Sequence, residues 1–227
     1  FTRTEPFFTE DQFSYAIDAP KQDVHHHLLK YKTKWIIDSS QYIQFIAATQ
    51  LNARDEFDIR RIQRTDIPAM SLRQYSFYNE AKYQKKWANL KFKSGIQLNS
   101  IDNTNLPGTG VLPLIPDYLS NQLGSYIIFN KQIGTHFIEF GTRGDYTYQS
   151  VPTISGDLPR RIIRYNNHFL TGSTSLLWKK NIGDHISISS GAAFATRNPA
   201  INELYSQGLH QGVSGIEEGN SELITES

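Results

Sequence analysis

The sequence predicts an all-β fold, an antiparallel up-and-down transmembrane β-barrel to which the chain contributes about eight or nine strands. Three observations predict it. Apolar and polar residues alternate with a period of two along most of the chain, and no long stretch carries a helical stripe. Short and long connections alternate strictly. The predicted strands run to about 12–20 residues, against a mode of about 5–6 in soluble proteins.

Taken in order, a possible extra strand falls near residues 13–16. In 27–37, Leu29, Tyr31, Trp35 and Ile37 share one phase, with Lys30, Lys32 and Lys34 opposite. In 41–53 the apolar phase is Ile43, Phe45, Ala47, Leu51 and Ala53. In 74–87, Tyr75, Phe77, Ala81, Tyr83 and Trp87 oppose Glu80, Lys82, Gln84 and Lys86. In 90–100, Leu90, Phe92, Ile96 and Leu98 oppose Lys91, Lys93, Gln97 and Asn99. Alternation is noisier in 121–132, 135–149 and 166–180. In 185–197, Ile186, Ile188, Ala192 and Phe194 form the apolar phase.

Four connections are tight: Asp38-Ser39-Ser40, Ala88-Asn89, Ile133-Gly134 and Asn181-Ile182-Gly183-Asp184. Four are long: 61–71, 103–120, 150–165, and 198 onward. Outer-membrane barrels have this asymmetry, with short periplasmic turns and long extracellular loops. All nine prolines fall outside the predicted strands, as a hydrogen-bonded ladder requires. Trp35, Trp87 and Trp178 each sit on the apolar phase beside a tight turn, where an interfacial aromatic girdle belongs. A tryptophan core in a soluble β-sandwich is the competing reading, and the strand lengths speak against it. Lys30, Lys32, Lys34, Glu80, Lys82, Lys91, Lys93, Glu139, Arg143 and Asp145 all fall on the polar phase, which must then face a wet or protein-filled lumen. Facing lipid, such charges would cost about 2–4 kcal/mol each at the midplane.

Composition narrows the class further. With 23 basic and 22 acidic side chains, the basic excess of a nucleic-acid binder is missing. There is no cysteine, so disulfides and thiolate metal sites are excluded. The apolar runs fall far short of the roughly 18 residues of a membrane helix, and no signal peptide is visible. The chain starts abruptly at Phe1 and stops abruptly at Ser227, and residues 1–227 are expected to be part of one larger barrel domain. Eight strands can close into a small packed barrel, but an 18-residue connection at 103–120 fits a wider one. A partial barrel leaves two edges that lipid cannot satisfy.

Several stretches resemble the TonB-dependent outer-membrane receptors, particularly those of the Bacteroidetes type. "HHHLLKYKTKW" followed by "LNARDEFDIRR" resembles an early extracellular hairpin, and "LPGTGVLPLIPDY" (106–118) resembles a long loop of that group. The most specific stretch is "TRNPAINELYSQGLHQGVSGIEEGNSELITES" (196–227). It is similar to the family's succession of Arg, Pro, Glu-Leu-Tyr, Gly-x-His-x-Gly, Glu-x-Gly-Asn and Leu. The resemblance implies a barrel of roughly 22 strands, with a plug domain and the C-terminal strands outside this chain. It implies active uptake of a scarce ligand such as a ferric siderophore, haem or metal ion, powered through the TonB–ExbB–ExbD complex acting on the plug. The outer membrane of a bacterium would be its location, membrane lipid and a small ligand its other partners, and no resident cofactor is implied. The alternative is a passive or anchoring barrel without energy coupling. The residues upstream of Phe1 discriminate between the two, because a plug and TonB box belong only to the first.

Candidate ligand residues cluster in this last stretch: Arg197, Tyr205, His210, Glu217 and Glu218. Haem receptors of the family carry a Phe-Arg-Ala-Pro box and an Asn-Pro-Asp-Leu box with a histidine between. Arg197, Pro199, Asn220 and Leu223 match these boxes, whereas Thr196, Asn198, Ser221 and Glu222 depart from them. Zinc-uptake receptors have a similar Glu-Leu-Tyr, Gly-x-His stretch. A neutral imidazole at His210 can bind haem iron or zinc, or it can simply shape a tight loop. Arg197 can attract an anionic ligand or pair with Glu203. His25, His26 and His27 are further metal candidates, because a simple hairpin register sets them near Arg54, Asp55, Glu56 and Asp58, and histidines with carboxylates suit zinc or another divalent ion. They equally suit a solvated strand end. No enzyme is expected: Ser187 and His185 share a phase but lack a third member, and no nucleotide loop or paired-carboxylate motif stands out.

Overall fold

A computed structural model of the chain describes residues 20–57, 67–109, 112–154, 158–183, 185–210 and 215–227, apart from the side chains of Leu209 and His210. The strand expected near 13–16, and most of the 61–71 connection, lie outside the described residues. The rest is all-β. Eight antiparallel strands follow one another in a single sheet: β1 (Lys21–Ile36), β2 (Gln41–Phe57), β3 (Met70–Lys86), β4 (Leu90–Asn105), β5 (Tyr118–Ile133), β6 (His136–Ile154), β7 (Ile162–Ile182) and β8 (Ile186–Ala195). Every strand pairs with its sequence neighbour, as in an up-and-down meander. The sheet is open, with β1 and β8 each paired on one side only.

The four tight turns gather at one edge and the long connections at the other. In the first turn the Asp38 carboxylate accepts hydrogen bonds from the Ser40 amide and hydroxyl, both at 2.7 Å, and from the Gln41 amide at 3.1 Å. Those bonds hold the Asp38 carboxyl below its usual range. They also fix the β1–β2 register, in which Trp35 faces Ile43 and Tyr31 faces Ala47.

Register carries each apolar phase onto one common face. Ala81 lies opposite Phe45 on one side and Ile96 on the other, Phe92 opposite Phe129, Phe129 opposite Phe140, and Ile138 opposite Trp178. Near the short-turn edge the rings of Tyr83, Phe92 and Phe129 touch in series, with centroids 6.2 and 5.0 Å apart. Such offset and edge-on contacts suit aromatic quadrupoles. Trp178 donates its indole N–H to His136 Nδ1 at 3.1 Å. On this face, formal charges occur only toward the two ends of the strands. Lys21, Asp23, Asp55, Arg73, Asp102 and Arg164 lie toward the long-connection edge, and Lys85, Lys131 and Lys180 toward the short-turn edge.

Burial is inverted relative to a protein folded around an oily core. Gln44, Glu80, Asn103, Asp145 and Thr147 are buried on the polar face, while Trp35 is 72% exposed and Phe77, Ile96, Leu123 and Phe129 are also exposed on the apolar one. The ten charged residues expected to share the polar phase do share that face.

Three expectations need correction. The strands outrun their apolar signal: β4 continues to Asn105 and β5 begins at Tyr118, so the second long connection is 106–117 instead of 103–120. Toward that edge both faces turn polar, and the backbone ladder continues where the hydrophobic pattern has faded. Pro152 consequently lies inside β6, opposite Arg164. It sits beyond the last β5 pair, Leu119 with Ser150, where the strand has a free side and a missing N–H can be tolerated. Finally, the stretch after β8 is no plain loop. It contains α1 (Ile201–Tyr205) and a hairpin of β9 (Gln207–His210) with β10 (Gly215–Glu218).

Candidate functional site

The centre of the polar face holds a hydrogen-bonded network that crosses four strands. Glu80 on β3 is 8% exposed. Its Oε1 accepts from the Tyr126 hydroxyl of β5 at 2.6 Å and from Gln97 Nε2 of β4 at 3.2 Å. Gln97 Nε2 also reaches the Tyr78 hydroxyl at 2.9 Å. Arg143 of β6 donates Nη1 to Gln97 Oε1, and Nε and Nη2 to the two carboxylate oxygens of Asp145. Gln122 Nε2 closes the group on Asp145 Oδ1 at 3.1 Å. Gly95 makes room for this: a Cβ there would come within 2.6 Å of the Tyr126 ring, which lies across the glycine to reach Glu80. Tyr78, Gln97, Asn99, Gln122 and Arg143 line a hollow of about 180 Å³ beside the network. A wider groove of about 600 Å³ runs mostly along the apolar face, past Ile43, Ile96 and Ile127, and also borders Lys82, Tyr126 and Arg143.

Farther along β6, Thr147 and Gln149 are 4% and 3% exposed, and among the described residues their side-chain oxygens have no hydrogen-bond partner. Buried polar oxygens of this kind are ordinarily met by ordered water or a ligand.

Residues 196–210 and 215–227 fold together at the long-connection edge, with α1 on the same face. Ile201, Leu204 and Tyr205 of α1 pack with Val151 of β6, and Tyr118, Tyr165 and Phe169 pack against this cluster. Leu204 is 2% exposed. The Tyr205 hydroxyl accepts from Asn167 Nδ2 at 2.7 Å, its ring leans on Tyr165 at 5.1 Å, and burial raises its phenol above the usual range. Glu203, the third residue of α1, accepts from the Ala200 amide at 2.7 Å and so caps the helix start. Arg197 grips both oxygens of Glu203 at 2.9 and 3.0 Å, and its Nε reaches Glu226 at 2.6 Å. Hydrogen bonding to these two carboxylates raises the Arg197 guanidinium, and the arginine lowers Glu203 in return. The Gln207 amide bonds the Leu114 carbonyl at 3.1 Å, tying the segment to the 106–117 connection.

The sequence-predicted site residues therefore separate. Arg197 holds two carboxylates of its own chain, and Tyr205 is part of the apolar joint beneath α1. Glu217 and Glu218 stand on β10 opposite Gly208 and Gln207, and His210 pairs through its backbone with Gly215; the His210 side chain lies outside the described residues. The three strand histidines do not converge. His25 and His27 point to the apolar face and His26 to the polar one, opposite Ala53, Leu51 and Asn52. Asp55 and Glu56 lie opposite Asp23 and Gln22, two or more positions along β1 from the histidines, and Asp55 shares a face with His25. His25 has Asp23 at 3.3 Å. Among the described residues, no three His, Cys, Asp or Glu side chains are grouped to hold a metal ion.

Sequence reasoning missed the uncharged members of the network, Tyr78, Gln97, Gln122 and Tyr126. Their polar phase was readable, but their convergence depends on register. It also missed α1, for which Pro199 followed by Glu203 ahead of Leu204 and Tyr205 was the available signal. No protein-family model and no curated protein matches the chain.

Proposed function

We propose that the chain is part of an outer-membrane β-barrel of the TonB-dependent receptor type, an active transporter for a scarce ligand such as a ferric siderophore, haem or a metal ion. One observation carries the membrane part of this reading: the inverted sheet, with its charge-free apolar band on one face and its charged network on the other. From Ile43 to Ala53 that band runs along β2 for roughly 33 Å at about 3.3 Å per residue. A tilt of about 40° turns this into a height near 25 Å, that of the hydrocarbon band of outer-membrane barrels. The two free sheet edges would be paired by the remaining strands of the barrel.

Energy coupling rests on the resemblance carried by residues 196–227. In this reading the segment is a folded rim at the extracellular mouth. Ligand capture there shifts the population of plug states, and force transmitted by TonB completes the step.

The membrane reading is tested with the full-length protein reconstituted in vesicles containing brominated lipid. Trp35, Trp87 and Trp178 should be quenched. A protein that stays monodisperse without detergent and keeps full tryptophan emission would remove the reading. Coupling is tested separately by ligand accumulation in cells. Loss of accumulation on collapse of the proton gradient supports active transport, and unchanged accumulation supports a passive barrel.

A further inference from the structure

We propose that the short-turn half of the polar face is a binding site for a small polyanion, a molecule bearing two or more carboxylate or phosphate groups. As a statement about cargo, this rests on the transport reading above; the site itself is argued from the sheet.

Lys86 and Lys91 are directly opposed on β3 and β4. Like charges placed so are destabilising. Lys93 follows two residues after Lys91 on the same face, and Lys82 lies opposite Gly95, one same-face step beyond the Lys93 row. Diagonal neighbours of that kind are about 7–8 Å apart, so Lys93 lies one step from each of Lys82, Lys86 and Lys91, and the four positions span about 13 Å along the strands. Lys82, Lys91 and Lys93 are half-buried. Lys30, Lys32 and Lys34 extend the patch along β1, with Lys34 opposite Gln44 and Gln44 opposite Lys82.

No described carboxylate neutralises this patch. The arginines behave differently: Arg54, Arg73, Arg143 and Arg197 each hold an acid. None of these lysines does among the described residues. Asp145 is paired with Arg143, whereas Glu80 and Glu139 accept from the neutral donors Tyr126, Gln97 and Asn130 and keep their charge, but among the described residues neither forms an ion pair with these lysines. Lys34 sits over the Tyr42 ring at 3.9 Å, a cation–π contact that leaves its charge uncompensated. Uncompensated lysines on a shared low-dielectric wall focus potential and raise the local concentration of anions. A polyanion bridging Lys82, Lys86, Lys91 and Lys93 removes their mutual repulsion, whereas a monovalent anion cannot span them.

The test uses the full-length protein in detergent, with tripolyphosphate and citrate as probes and lysine acetylation read by mass spectrometry. At constant ionic strength, tripolyphosphate should slow acetylation of Lys82, Lys86, Lys91 and Lys93 by roughly tenfold, while Lys85, Lys131 and Lys180 on the other face react as before. Equilibrium dialysis should find saturable binding that weakens in the Lys82→Gln/Lys93→Gln variant and at high salt. Equal protection by chloride would overturn the proposal. So would lysines already unreactive without probe, since an acidic part of the protein would then cover them. Bromolipid quenching is indifferent to these outcomes, so the site and the membrane reading fail separately.

Discussion

Gly219 lies directly on the backbone of Leu204. A Cβ at Gly219 would come within 2.5 Å of the Leu204 carbonyl carbon. The contact lets the Gly219 amide bond the Ser206 carbonyl at 2.7 Å and the Asn220 amide bond that of Glu203 at 2.8 Å. It thereby fastens the end of β10 over the C-terminus of α1. The neighbour is backbone, so a side chain has nowhere to go. Gly219→Ala should loosen residues 196–227 by roughly 1–3 kcal/mol and leave the sheet intact. Limited proteolysis checks this: faster cleavage after β8 is expected, and an unchanged cleavage rate would contradict the close approach.

The Arg197–Glu203 pair should make the same segment acid-sensitive. Glu203 is held below its ordinary value of 4.5, first by Arg197 and then by the Ala200 amide. A depressed carboxylate contributes stability that is fully present above its unfolded value and is lost as pH falls through the lowered one. Protection of the α1 amides from hydrogen exchange should therefore hold at neutral pH and decline only below the ordinary carboxylate range. Glu203→Gln should flatten that decline. An unaltered profile in the variant would assign the acid sensitivity elsewhere.

The two faces should respond oppositely to a new charge. Ile96→Lys puts an ammonium in the middle of the apolar band, and the cost in lipid is about 2–4 kcal/mol near the midplane. Ser76→Lys, on the polar face, should cost much less. Urea titrations of the protein folded into vesicles measure the difference. Equal destabilisation by the two would contradict a lipid-facing band.

Register can be tested covalently, because the chain contains no cysteine of its own. His26→Cys with Asn52→Cys places two thiols directly across β1 and β2. Facing residues have Cβ atoms about 4.5–5.5 Å apart, within reach of oxidative cross-linking after small adjustments. His26→Cys with Glu56→Cys pairs residues four positions out of register, about 13 Å along the strand, and should not cross-link. The opposite result would restore the histidine–carboxylate neighbourhood expected from a simple hairpin.

Much of the fold was legible because a β-strand repeats every two residues and each strand writes its two faces into its own sequence. Tyr75, Phe77, Ala81 and Tyr83 announce an apolar face without reference to any other strand, and Asp38 with its serines announces the turn. Legibility failed where that local code weakens. At the end of β4 both faces are polar, and at the end of β6 the alternation breaks at Val151 and Pro152, yet the ladder continues on backbone hydrogen bonds. The candidate site was less legible for a different reason. The Arg197 pair with Glu203, six positions away, was readable in sequence, but Glu226 and Asn167, which also hold Arg197 and Tyr205, lie 29 and 38 positions away.

The amino-acid sequence by itself determined the strands, their two-faced character and the alternation of tight turns with long connections, since each depends on residues within one or two positions of each other. The tertiary structure alone decided which residues meet. Cross-strand register set Glu80, Gln97, Tyr126 and Arg143 into one network and split the three histidines between faces. Backbone packing at Gly219 fastened the end of β10 onto α1. A one-residue slip in pairing inverts a strand's faces, so such convergences follow from the assembled sheet and not from any stretch of it.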